Sequence, residues 1–101
     1  MITIERMTQT IFPGKWDDLN EIDKRFNEIE QRMGFPQKRR YQCMIGGLDQ
    51  NTLIIERQWD CLAVMESTYE KAMAEPEYQV LLKEVESIVK SSRLEVFVPL
   101  P

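Results

Sequence analysis

The chain has 101 residues, the size of one small domain, with 13 Lys and Arg against 17 Asp and Glu, a formal charge of -4, and no histidine. That balance argues against a groove that tracks nucleic-acid phosphates, which needs clustered cations. The missing histidine removes Ser-His-Asp and Cys-His nucleophiles, the usual zinc ligand and the commonest haem ligand.

The chain opens on an alternating stretch, Met1 to Gln9. Ile2 and Ile4 point one way; Thr3, Glu5 and Met7 point the other, the period of a strand with one buried face. Pro13-Gly14 breaks it. From Lys15 to Met33 the apolar residues Trp16, Leu19, Ile22, Phe26, Ile29 and Met33 recur at steps of three and four. They form one stripe of an amphipathic helix, with Asp17 and Asp18 in the first turn and Gly34 as its stop. The basic run Gln37-Lys38-Arg39-Arg40 follows and is expected to be a solvated turn rather than an anion site.

Arg39 to Gly46 alternates again, with Tyr41, Cys43 and Ile45 on one face and Gln42 and Met44 on the other. A turn-forming stretch from Gly46 to Asn51 leads into a strand from Thr52 to Trp59, so the two read as a hairpin. Asp60 is the expected N-cap of a second helix carrying Leu62, Met65, Tyr69 and Met73. Glu75-Pro76 interrupts that helix, and Pro76 suits the first turn of its continuation, which Leu81, Leu82, Val85, Ile88 and Val89 carry to about Lys90. Arg93 to Val98 is the last strand.

The order β-α-β-β-α-β predicts an α+β, ferredoxin-like domain over residues 1–101. It is a four-stranded antiparallel sheet, ordered 4-1-3-2, with the helices on one face. The helix side should carry Ile2, Ile4, Tyr41, Cys43, Ile45, Leu53, Ile55, Leu94, Val96 and Val98. The open side should carry Thr3, Glu5, Met7, Gln42, Met44, Ile54, Glu56, Gln58, Glu95 and Phe97. Exposed together, Met7, Met44, Ile54 and Phe97 would make an apolar patch, and such patches mark interaction sites. A second copy packed face to face by a two-fold axis covers it most economically. Arg57 alternates onto the helix side and is expected to snorkel to water at the sheet edge.

Glu5, Glu56 and Glu95 fall on neighbouring strands. Aligned, they would form a carboxylate row with at least one raised pKa, suited to proton transfer or to a hard cation. Otherwise they pair with Arg93, Gln42 or Gln58, or meet water. Trp16, Tyr41 and Trp59 read as core. Tyr78 lies on the stripe of the continued helix. Cys43 reads as a small buried hydrophobe. Cys61 sits in the first turn of a helix, which lowers a thiol pKa, while Asp60 beside it opposes that. Two cysteines without a CxxC pair point to a reduced, cytoplasmic setting. No apolar run approaches the ~18–20 residues of a membrane span. Strands one and three lack the stacking aromatics of the RNA-binding domain that shares this element order.

Three stretches, "FPGKWDDLNEI", "LIIERQWDCLAVMES" and "AEPEYQVLLKEV", carry a resemblance that runs the length of the chain. In order and spacing they resemble the dimeric α/β-barrel superfamily, and most its NIPSNAP-type branch. The resemblance implies a homodimer whose sheets pack across a barrel-like space. That space would be lined by Glu5, Met7, Gln42, Met44, Ile54, Glu56, Gln58, Glu95 and Phe97, and would take a small, partly apolar molecule. The superfamily also holds cofactor-independent monooxygenases of antibiotic biosynthesis, which gives an alternative function. A purely structural dimer with a filled barrel is another. Its haem-using branches depend on a histidine, which this chain lacks, so no cofactor and no metal are expected. No catalytic residue is singled out.

Overall fold

A computed structural model describes all 101 residues. The elements are β1 (Thr3–Ile11), α1 (Trp16–Met33), β2 (Arg39–Gln42), β3 (Thr52–Trp59), α2 (Leu62–Met73), α3 (Pro76–Glu84), a single 3-10 turn (Val85–Ser87) and β4 (Val89–Phe97). The four strands form one antiparallel sheet in the order β2-β3-β1-β4. This is the ferredoxin-like α+β fold, with the strand order that the sequence predicts.

Local chemistry explains most boundaries. Gly34 adopts the left-handed conformation (φ 85°) that ends α1, and its N–H and that of Phe35 close back on Gln31 and Glu30. Pro76 opens α3, and Glu75 before it is extended, so the long apolar stretch becomes two helices. Several ends differ from expectation, β1 running on to Ile11 and β4 starting at Val89 among them. The α3 helix stops at Glu84 rather than near Lys90, because Ile88 and Val89 turn back to the sheet. Val89 pairs with Ile11, past an irregularity at Thr10, and the Phe12 N–H bonds the Ile88 carbonyl. The second strand is only four residues long, so Cys43, Met44 and Ile45 lie beyond it. Cys43 is partly exposed rather than buried. Finally, Cys61 rather than Asp60 is the N-cap of α2, and no side chain caps it.

The core lies between the sheet and the helices. Ile11, Leu53 and Trp59 from the strands pack with Leu19, Ile22 and Ile29 of α1, Met65 and Ala72 of α2, and Tyr78 and Leu81 of α3. The Cα trace measures 38 × 37 × 17 Å, so the molecule is a slab two layers thick. Nothing in the chain covers the second face of the sheet.

Register decides which residues lie on which face. In β3 the expectation holds: Leu53, Ile55, Arg57 and Trp59 face the helices, and Ile54, Glu56 and Gln58 face away. In β1 it is reversed. Glu5 lies opposite Arg57, Met7 opposite Ile55 and Gln9 opposite Leu53, so these residues face the helices. Thr3 and Glu5 are buried, while Ile2 is exposed and Ile4 only partly covered. The β2 strand is reversed as well: Tyr41 lies opposite Ile54 on the open face, and Gln42 opposite Leu53 on the helix side. Tyr41 is therefore not a core residue but an exposed one.

Candidate functional site

The helix side of the sheet holds the unexpected feature, a buried chain of charges. Glu5 is 1% exposed and Arg57 6%. They are cross-strand neighbours, with Arg57 Nη1 3.5 Å from Glu5 Oε1. The indole N–H of Trp59 donates to Glu5 Oε1 at 2.9 Å, and the Tyr69 hydroxyl donates to Glu5 Oε2. Arg57 Nη2 donates to Glu30 of α1 at 2.7 Å, and Nη1 donates to the Tyr69 oxygen at 3.2 Å. Lys38 Nζ continues the chain, 3.2 Å from Glu30 and 2.5 Å from Asp23, and Arg40 Nε lies 3.5 Å from the other Asp23 oxygen.

Each member is placed by ordinary local structure. Strand alternation puts Glu5 and Arg57 on one face. Asp23 and Glu30 are seven residues apart on α1, two turns, and so share its sheet-facing side. The connector after Gly34 carries Lys38 beneath α1. The basic run is thus not a solvated turn: the Lys38 side chain is buried between two carboxylates, and of the three cations only Arg39 is exposed. Arg57 does not snorkel; its guanidinium lies 5.2 Å from the centroid of the Phe35 ring and is closed off from water. Three carboxylates (Glu5, Asp23, Glu30) face three cations (Lys38, Arg40, Arg57). The group is neutral as a whole, as burial requires.

Burial raises the pKa of Tyr69; Arg57 opposes the shift and Glu5 adds to it, with a net rise. Burial, with Glu30 close by, pushes Tyr78 up to about 12. For Arg57, burial works to lower the value, but Tyr69, Glu30 and Glu5 outweigh it and the net shift is upward. Both tyrosines are therefore neutral donors, and the folded chain holds their protons more tightly than the unfolded chain, where tyrosine titrates near ~10. That contribution to stability is complete below the unfolded value and is lost as pH rises through the folded one. The urea midpoint should hold steady up to about pH 10 and then fall, by on the order of 1 kcal/mol per pH unit for each tyrosine. Phenolate absorbance measured in parallel should show Tyr69 and Tyr78 ionising only as the protein unfolds. Ionisation of both in the folded state near pH 10 would contradict their burial.

Beside the charge chain lies a cavity of about 90 Å³. Met7, Leu53 and Ile55 form its floor, and Ile22, Phe26 and Leu82 are among the helix residues above it. Arg57, Tyr69 and Tyr78 also line it. Two donors among the lining residues have no partner within the chain, and of these only the Arg57 atom is itself buried. Arg57 Nε is buried without a partner. The Tyr78 hydroxyl makes no hydrogen bond within the chain, although Tyr78 is 6% exposed and its ring packs edge-on against Phe26 at 5.6 Å. A buried donor without an acceptor costs about 1–3 kcal/mol, so this wall is built at some expense.

The residues expected to line a space between two sheets divide accordingly. Ile54, Glu56, Gln58, Glu95 and Phe97 do share the open face. Glu5, Met7 and Gln42 are on the helix side, and Met44 lies on the loop after β2. The carboxylate row does not form. Arg6 takes the place expected for Glu5 and pairs across the sheet with both Glu56 and Glu95, while Arg39 lies opposite Glu56. The row therefore reads Arg39, Glu56, Arg6, Glu95, with alternating sign. Arg6 Nε donates to Glu56 at 2.8 Å, and its guanidinium sits 5.1 Å over the Phe97 ring. No group of three or more metal-ligating side chains is present.

No family model and no curated protein matches this sequence. Its fold, in contrast, recurs among solved structures. A NIPSNAP family protein from Agrobacterium tumefaciens superposes with a TM-score of 0.83 over 99% of this chain and 94% of its own, at 15% identity. An uncharacterized NIPSNAP-like domain protein from Burkholderia xenovorans gives 0.81 over 98% and 85%, also at 15% identity. A cofactor-independent oxygenase from Streptomyces nogalater gives 0.69 over 97% and 92%, at 12% identity. The chain shares its ferredoxin-like fold with these NIPSNAP proteins and, at a lower TM-score, with the oxygenase.

Proposed function

We propose, from this NIPSNAP-like fold, that the protein is a cytoplasmic homodimer that binds a small, partly apolar molecule. The binding place is the cavity beneath the helices rather than the space between two sheets. The observation that carries the reading is the cavity wall itself: apolar on most sides, closing on a buried guanidinium and two tyrosines that stay protonated. Binding sites are built in this way, with an apolar enclosure and a few convergent polar groups.

The dimer reading rests on the uncovered sheet. The isolated chain exposes 6909 Å², whereas a compact monomer of this mass exposes about 6,000 Å². The excess is close to the ~800 Å² that one partner contributes to a standard interface. Phe97, Tyr41 and Ile54 supply apolar area there, and the charges of the face (Arg6, Arg39 and Arg93 against Glu56 and Glu95) are of mixed sign and nearly balanced. No helix is long and apolar enough to cross a membrane, and the two cysteines are unpaired, which suits a reducing compartment.

A cofactor-independent oxygenase is the second reading, favoured by the protonated Tyr78 on the wall, whose hydroxyl has no partner in the chain and could donate to a developing oxyanion. Glu5 and Glu30 are already engaged by Arg57 and Lys38, so no free base lies ready to take a substrate proton. Binding is therefore the stronger reading. Titration with 2-butanone, followed on methyl resonances, tests it. Shifts should appear for the methyls beneath the helices and not for those of the open face; a protein indifferent to the probe would overturn the reading.

A further inference from the structure

The geometry points to a specific ligand class for this cavity: a compact, uncharged molecule presenting one hydrogen-bond acceptor oxygen, of the ketone or aldehyde kind, with a short aliphatic body. The inference rests on the binding reading above and narrows it.

Three observations set the class. The first is charge. The buried chain holds Glu5, Asp23 and Glu30 against Lys38, Arg40 and Arg57, and every charge in it has an opposite partner within 3.5 Å. A carboxylate entering beside Arg57 would bring a fourth negative charge into a low-dielectric space that is already balanced. An ammonium would bring a fourth positive one. Either would lose its hydration without a free counter-ion. A neutral molecule upsets nothing.

The second is hydrogen bonding. One wall group is left free to donate into the cavity, the Tyr78 hydroxyl, which makes no hydrogen bond within the chain. Arg57 Nε also lacks a partner but is sealed from contact. Tyr69, the other hydroxyl on the wall, already donates to Glu5. An acceptor oxygen answers the Tyr78 hydroxyl, and the charge balance excludes an ammonium. A hydrocarbon leaves the hydroxyl unpaired.

The third is size. An apolar cavity of about 150 Å³ accommodates benzene, with six non-hydrogen atoms. Scaled by volume, the roughly 90 Å³ here takes about four, and because the cavity is not closed on all sides a fifth can sit at its mouth. The rest of the wall, with Phe26, Leu53, Ile55 and Leu82, suits an aliphatic body.

The test uses the full-length protein and four probes of matched size, each titrated by methyl NMR: 2-butanone, 2-methyl-1-butene (a methylene in place of the oxygen), propionate and sec-butylammonium. The expected order is 2-butanone first, the alkene about three- to ten-fold weaker, and the two ions without saturable binding in the cavity. Tyr78→Phe should weaken 2-butanone by a similar three- to ten-fold and leave the alkene unchanged. Propionate binding as tightly as 2-butanone would overturn the neutral class. Equal affinity for ketone and alkene would overturn the acceptor. If the alkene and the ketone both bind, the binding reading stands whatever becomes of this narrower one; if no probe binds, both fall. Should Tyr78→Phe fail to fold, the probe order in the unaltered protein decides alone.

Discussion

Replacing Arg57 by Met should cost about 3–5 kcal/mol of folding stability, the largest effect expected of any single substitution here. Native stability is of the order of 5–15 kcal/mol in total, so the variant should be close to unfolding. The reason is not the loss of attractive contacts alone. Glu5 and Glu30 would both remain beneath the helices, and Glu5 would lose the one cation within reach. Urea denaturation near neutral pH measures the effect. Adding Glu5→Gln to Arg57→Met should restore part of the loss, since Glu5 is the carboxylate left without a cation while Glu30 keeps Lys38. Glu5→Gln alone should be milder, at about 1–3 kcal/mol, because Arg57 keeps Glu30 and the amide can still accept from Trp59. A loss below about 1 kcal/mol for Arg57→Met would mean that this guanidinium is solvated rather than enclosed.

Ile54→Lys should separate the proposed dimer. Ile54 stands near the centre of the open face, between Tyr41 of β2 and Thr8 of β1. On an isolated protomer a lysine there costs little, because the ammonium reaches water. Between two packed sheets it has no such escape, and the two-fold axis brings two of them together. The expected penalty is at least about 3 kcal/mol, or roughly a hundred-fold or more in Kd. Sedimentation equilibrium should show the unaltered protein as a dimer and the variant as a monomer, with matching circular dichroism. An unaltered protein that sediments as a monomer at high concentration would remove the dimer from the account.

The order of elements was readable from residue pattern, because each boundary has a local chemical cause. Gly34 ends α1, Pro76 divides the second helical stretch, and the turn residues from Gly46 to Asn51 join β2 to β3. The faces of β1 and β2 were not readable in the same way. In β1 both alternating sets contain apolar residues, and a glutamate is ordinarily placed outside. Ending the strand at Gln9 also hid Ile11, which is fully buried and belongs to the set of Glu5 and Met7. In β2 four residues are too few to show a period.

One signal did exist. The pattern of β3 puts Arg57 between Ile55 and Trp59, well inside the apolar face. A buried arginine needs carboxylates, and β1, its neighbour in the predicted strand order, offers Glu5. Following that requirement would have turned β1 over and placed Arg6, not Glu5, beside Glu56 and Glu95 on the open face. The cavity depends on how the split helix tilts over the sheet, which no residue period encodes.

The central claim is that the working space lies beneath the helices and not between the sheets. Methyl NMR of the protein titrated with 2-butanone tests it most directly, because both faces carry reporters. Saturable shifts should appear at Ile22, Leu53, Ile55 and Leu82, with Ile4 and Ile54 unmoved. Saturable shifts at Ile4 and Ile54, with the methyls beneath the helices still, would place the ligand between the sheets and contradict the account.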